Sequence, residues 1–112
     1  MIIYRRKDVL MKVITVCGSL KFKDEMMKIS EIVELQGNCV ITPIYPTKPN
    51  KDDYTEEEFA ILNIVHRKKI EIADAILVVN VDGYIGSSTQ NEIEYAKDLG
   101  KEIIYYTDLI DQ

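Results

Sequence analysis

Two patterns of apolar positions alternate along the chain. Short runs rich in β-branched residues occupy residues 12–17 (KVITVC), 38–42 (NCVIT), 75–79 (AILVV) and 102–106 (EIIYY). Each has the length and composition of a strand buried in a sheet. Between them lie three stretches with helical spacing. Residues 24–36 put Met26, Ile29, Ile32, Val33 and Leu35 on that spacing and stop at Gly37. Thr55 opens the second stretch with a capping box to Glu58, after which Phe59, Leu62, His66 and Ile70 share one stripe. Residues 89–99 form the third, closed by Gly100. This alternation predicts an α/β fold: a small doubly wound, flavodoxin-like or Rossmann-like parallel sheet with right-handed crossovers. Its four core strands are expected in the order 2-1-3-4, with about three helices.

In such a sheet, ligands bind beyond the carboxyl ends of the strands, at the switch point between strands one and three. Two turns containing glycine and serine converge there: Gly18-Ser19 after the first strand, and residues 82–88 (DGYIGSS) after the third. Gly86, Ser87 and Ser88 lead into a helix whose first turn offers free N–H groups and partial positive charge, a cradle for an anion or a sugar hydroxyl. Glu92 falls one turn in, where the helix dipole favours an ionised carboxylate. The same residues also read as plain capping, because Thr89 and Glu92, like Ser87 and Gln90, stand at capping-box spacing. Asp82-Gly83 is a common turn pair, so Asp82 either contacts the ligand or shapes the turn. The 12-residue stretch 43–54 is long for so small a domain and is expected over the ligand side as a lid or a mobile loop. Within it, Tyr45 either stacks on a flat ligand or packs. His66, the only histidine, is a packed residue or a functional one. Arg67, Lys68 and Lys69 read as a solvated face.

Composition narrows the classes of function. The chain has 112 residues, 46% of them hydrophobic, with net charge −5 and a pI near 4.9. Residues 12–112 are expected to form one globular domain preceded by an extension or arm over residues 1–11, and a homodimer or higher homo-oligomer would suit its size. The acidic balance opposes a polymeric nucleic-acid partner, whereas a small anionic ligand needs only a local cradle. No apolar run approaches the roughly 18 residues of a membrane span, and MIIYRRKDVL lacks signal-peptide features, so no membrane partner and a cytoplasmic location are expected. Cys17 and Cys39 belong at opposite ends of neighbouring strands, too far apart for a disulfide, and are expected as two free, mostly buried thiols. The phosphate-binding motifs G-x-G-x-x-G and G-x-x-x-x-G-K-[ST] are absent. The first strand ends in no acidic pair, as a phospho-receiver would, and no arginine closes the loop after Cys17, as a cysteine phosphatase would require. With one histidine and no clustered ligands along the sequence, neither a metal nor another cofactor is expected.

VCGSL at 16–20, the ADAILVV strand, the glycine-serine turn and NEIEYAKDLGKEI at 91–103 resemble the nucleoside 2-deoxyribosyltransferase-like family, including its nucleotide N-glycosidase members. The resemblance covers residues 12–106, and its most specific piece is E-x-x-x-A opening the last helix before G-K and a strand. It implies that Glu92, not Glu94, is the nucleophile that attacks the anomeric carbon of a nucleoside or nucleotide. Gly18 and Ser19 would then line the sugar or phosphate pocket, and Ser87 and Ser88 would bind a 5'-phosphate. Where family enzymes commonly carry a catalytic aspartate, eight residues before the aspartate that opens the third strand, this chain has His66. The implied activity is cleavage or transfer at an N-glycosidic bond. The alternatives are a nucleotide-binding or sensor module without turnover and, on topology alone, a small signalling domain.

Overall fold

A computed structural model describes residues 11–110; the expected arm falls mostly outside the described residues. Four parallel strands, β1 (Val13–Cys17), β2 (Cys39–Ile41), β3 (Ala75–Val78) and β4 (Glu102–Tyr105), stand in the order β2-β1-β3-β4. Three long helices, α1 (Lys23–Leu35), α2 (Glu56–Glu71) and α3 (Ser87–Asp98), make the crossovers, and a short α4 (Tyr106–Ile110) follows β4 directly. The fold class and strand order are those expected from the sequence. Register is continuous across the centre, with Ile14 opposite Ala75, Cys17 opposite Val78 and Val78 opposite Tyr105.

Strand alternation divides the core in two. Ile14 and Val16 of β1, with Ala75, Leu77 and Val79 along β3, face Met26, Ile29 and Val33 of α1. Cys17 of β1 and Ile76 and Val78 of β3 point the other way, onto Ile70 of α2 and Ile93 and Ala96 of α3. A continuous apolar run does not reveal this division, because both faces of a central parallel strand are buried. Thr15 shares the second face, and its hydroxyl is satisfied by donating to the Lys69 carbonyl at 2.7 Å.

Some sequence expectations shift. On α1, Ile32 and Leu35 are exposed and only Met26, Ile29, Ser30 and Val33 are buried. The apolar stripe is narrower than the spacing predicts, and only Met26, Ile29 and Val33 join the core formed with β1 and β3. Cys17 and Cys39 are both free, but Cys39 is exposed at the start of the three-residue edge strand β2. Among the described residues no helix is long and apolar enough to cross a membrane.

The second helix begins as its sequence predicts. The Thr55 hydroxyl accepts from the Glu58 N–H at 3.0 Å, and the Glu58 carboxylate accepts from the Thr55 N–H at 2.9 Å. That backbone bond, with nearby Lys48, lowers the Glu58 pKa. Its contribution is therefore present above the ordinary carboxylate pKa and is lost as pH falls through the lowered value. Thr55→Ala is expected to cost about 1 kcal/mol of stability, read by urea denaturation at neutral pH. An unchanged midpoint would show that the cap contributes nothing.

Candidate active site

The carboxyl ends of β1, β2 and β3 open into a cavity of about 480 Å3. Three walls meet there. The turn after β1 supplies Gly18, Ser19 and Lys21. The segment after β2 supplies Pro43, Ile44 and Pro46. The turn after β3 leads through Tyr84 and Gly86 into Ser87, Ser88 and Glu92 of α3. Along one side, α2 presents Phe59, Leu62, Asn63, His66 and Lys69. The cavity sits where crossovers from β1 and β3 leave in opposite directions, the place an open α/β sheet reserves for a ligand.

The start of α3 differs from the capping reading of the sequence. Helical residues begin at Ser87, and Gly86 is the N-cap with no side-chain cap. Thr89 is therefore the third helical residue and is buried, so neither capping box forms. The first helical bond runs from the Gln90 N–H to the Gly86 carbonyl, which leaves the N–H groups of Ser87, Ser88 and Thr89 without intrahelical acceptors at the cavity wall. Glu92 is the sixth helical residue, not one turn in, and lies beyond the short reach of the helix dipole. Its carboxylate is spared for the cavity.

Two side chains from two other elements converge on that carboxylate. Glu92 Oε1 lies 3.6 Å from His66 Nε2 of α2, and the same Nε2 lies 3.5 Å from Cys17 Sγ at the end of β1. The ligand atoms of all three residues fall within 4.8 Å of one another. The sequence shows no such cluster, since its members are 49 and 26 positions apart. Burial pushes the Cys17 thiol well above its ordinary pKa, and the Glu92 charge and hydrogen bond push the same way, so it stands as a neutral S–H beside the carboxylate. This is not a thiol relay. A relay needs sulfur on one imidazole nitrogen and the orienting group on the other, whereas here both face Nε2, and the buried Nδ1 has no hydrogen-bond partner among the described residues.

Of the residues singled out in the sequence, Gly18, Ser19, His66, Gly86, Ser87, Ser88 and Glu92 are brought together at the cavity. Tyr45 and Asp82 are not among its lining residues. Tyr45 is half-buried beside Lys23, and burial raises its phenol pKa. Asp82 is exposed in the left-handed region, φ 54°, within the tight turn Val81–Gly83. Gly18 packs closely on β3: a Cβ there would meet the Val79 carbonyl at 3.2 Å and the Val79 Cβ at 3.4 Å, so Val79 would have to give by a few tenths of an ångström.

Sequence reasoning missed the lysines. Lys69, read as part of a solvated face, donates to the Thr42 carbonyl at 2.9 Å and lines the cavity with Lys21 and Lys51. Lys21 Nζ sits 3.4 Å from the centroid of the Tyr84 ring, which is held edge-on by Phe22. Among the described residues, three lysines and one carboxylate line this cavity, although the chain as a whole carries net charge −5. A helical reading of residues 55–71 that asked which face meets the strand ends would have found Lys69, three positions beyond His66.

This arrangement of sheet, crossovers and crevice has a counterpart among solved structures. The 2-deoxyribosyltransferase from the psychrotolerant bacterium Bacillus psychrosaccharolyticus superposes with a TM-score of 0.66, over 83% of this chain and 70% of that one, at 17% identity. The chain has a nucleoside 2-deoxyribosyltransferase-like fold. No family model matches the sequence, and no curated protein matches it. The deoxyribosyltransferase-like fold is thus established by shape, and the chemistry must be argued from the cavity.

Proposed function

We infer that the protein cleaves or transfers at the N-glycosidic bond of a nucleoside 5'-monophosphate or nucleoside, with Glu92 as nucleophile. The observation that carries this reading is Glu92 itself, the one carboxylate among the described residues that line the strand-end cavity. A Glu92 oxygen bonds to the anomeric carbon as the bond to the base breaks, and the electron pair leaves with the base, which takes up a proton from water. Water or a second base then attacks the same carbon and gives up a proton, and Glu92 departs as a carboxylate. His66, with Nε2 3.6 Å from Oε1, orients the nucleophile.

The lining suits the rest of such a substrate. Phe59, Leu62 and Ile44 offer an apolar wall to a flat base, and the Asn63 amide offers it a donor and an acceptor. Ser87, Ser88 and the free N–H groups of the first α3 turn, with Lys21, Lys51 and Lys69, suit a phosphate. Base release measured by chromatography over matched nucleosides and 5'-monophosphates is expected to favour the monophosphates by about tenfold, on the order of one charge-assisted contact. Raising the salt should narrow the difference. Exchange with an added free base would separate transfer from hydrolysis. A nucleotide that raises the melting temperature while keeping its base would make the chain a binding module instead.

A further inference from the structure

We propose that Cys17, His66 and Glu92 form a three-ligand site for a zinc-class divalent cation, with its fourth position open to the cavity. Zinc takes a thiolate at about 2.3 Å and imidazole or carboxylate atoms at roughly 2.0–2.2 Å, usually as a tetrahedron. Those bond lengths require edges of about 3.6 Å between sulfur and nitrogen and about 3.4 Å between nitrogen and oxygen. The corresponding separations are 3.5 Å from Cys17 Sγ to His66 Nε2 and 3.6 Å from Nε2 to Glu92 Oε1. These two edges match those of a tetrahedral face; the third, between Sγ and the Glu92 oxygen, lies within 4.8 Å and has to settle at about 3.6 Å when the cation binds.

The feature that rules out a relay is what a metal requires. One imidazole nitrogen is directed between a sulfur and a carboxylate, each from a different element. The strand end and two helices that carry them are fixed by the core on one face of the sheet, through Ile70, Ile76, Val78, Ile93 and Ala96. The ligand set combines soft sulfur with borderline nitrogen, which selects zinc-class ions over magnesium or calcium. Binding displaces the Sγ proton to solvent. It also places the remaining imidazole proton on Nδ1, which has no acceptor among the described residues. Lacking that outer bond, the site should bind about 10–100-fold more weakly than one that has it. A cation held here takes up the Glu92 oxygen, so it would oppose the glycosidic reaction; that consequence rests on the nucleophile reading, whereas the site itself does not.

The test is anaerobic titration of the intact protein with cobalt(II), followed in the near ultraviolet and visible, and then displacement by zinc. Saturation at one equivalent is expected, with a thiolate-to-cobalt charge-transfer band and the intense visible bands of four-coordination. The band should persist in Cys39→Ser, which removes the exposed thiol, and disappear in Cys17→Ser. His66→Gln should weaken binding by at least about 100-fold, beyond the usual cost of losing an outer-sphere partner. No charge-transfer band with the unaltered chain, or a band that survives Cys17→Ser, would overturn the site. Persistence of the band in Cys39→Ser, a change at an exposed position, assigns it to Cys17 whether or not Cys17→Ser folds. Base release is not read in this experiment, so failure here and failure of the glycosidic assignment are told apart.

Discussion

Replacing Glu92 by Gln is expected to lower base release roughly a thousandfold, equivalent to about 4 kcal/mol of transition-state stabilisation. The amide has nearly the volume of the carboxylate, so the cavity keeps its shape, but its oxygen is a poor nucleophile and carries no charge to stabilise an oxocarbenium-like centre. The loss should therefore appear in kcat, with substrate affinity nearly unchanged. Glu94 makes the control. It lies on the exposed face of α3, two residues on and directed away from the cavity. Glu94→Gln should leave the rate within about twofold, as surface changes remote from a site usually do. If Glu92→Gln retains more than a tenth of the rate, the carboxylate is not the nucleophile. Parallel loss in both variants would point to damage to the helix.

Leu77→Ala should cost the scaffold about 3 kcal/mol, within the range for emptying a leucine site in a close-packed interior. Leu77 is fully buried at the centre of β3, the strand that pairs with both β1 and β4, and its side chain fills the face covered by α1. Collapse into the space is restricted on both sides, since β1 and β4 are held in register by their own hydrogen bonds. A loss of that size is a large fraction of the stability of an ordinary domain. Calorimetry should register a fall in melting temperature on the order of 10–20 °C. A shift of only a degree or two would mean that α1 moves in to fill the cavity and that this face of the core is far less rigid than its packing implies.

The same molecule can be followed from its local signals. The Thr55 and Glu58 cap was legible because both partners lie within one helical turn, and it forms as expected. The start of α3 was not. Ser87, Ser88 and Thr89 are all acceptable caps, and the choice fell to Gly86 because Ile93 and Ala96 must meet the sheet while Thr89 is buried beneath the first turn. Residues 43–54 do reach the cavity, through Pro43, Ile44, Pro46 and Lys51, yet Tyr45 is not among the lining residues. In an irregular segment no period says which side chains face inward. Cys39 was misjudged for a related reason: a cysteine in a strand is usually covered, but the first residue of a short edge strand is not.

By itself the sequence determined the kinds of element, their order and the strand order of the sheet. Those follow from local periodicity, turn residues and the handedness of crossovers, all of which act over short spans of chain. It also marked Glu92 and the two glycine-serine turns. Only the tertiary structure decided that Cys17, His66 and Glu92 meet at one point and that Lys69 belongs to the cavity. That depends on which face of β1 Cys17 takes and on how α2 and α3 pack side by side across it. Such proximity comes from the sum of many buried contacts, and no single stretch of the chain carries it.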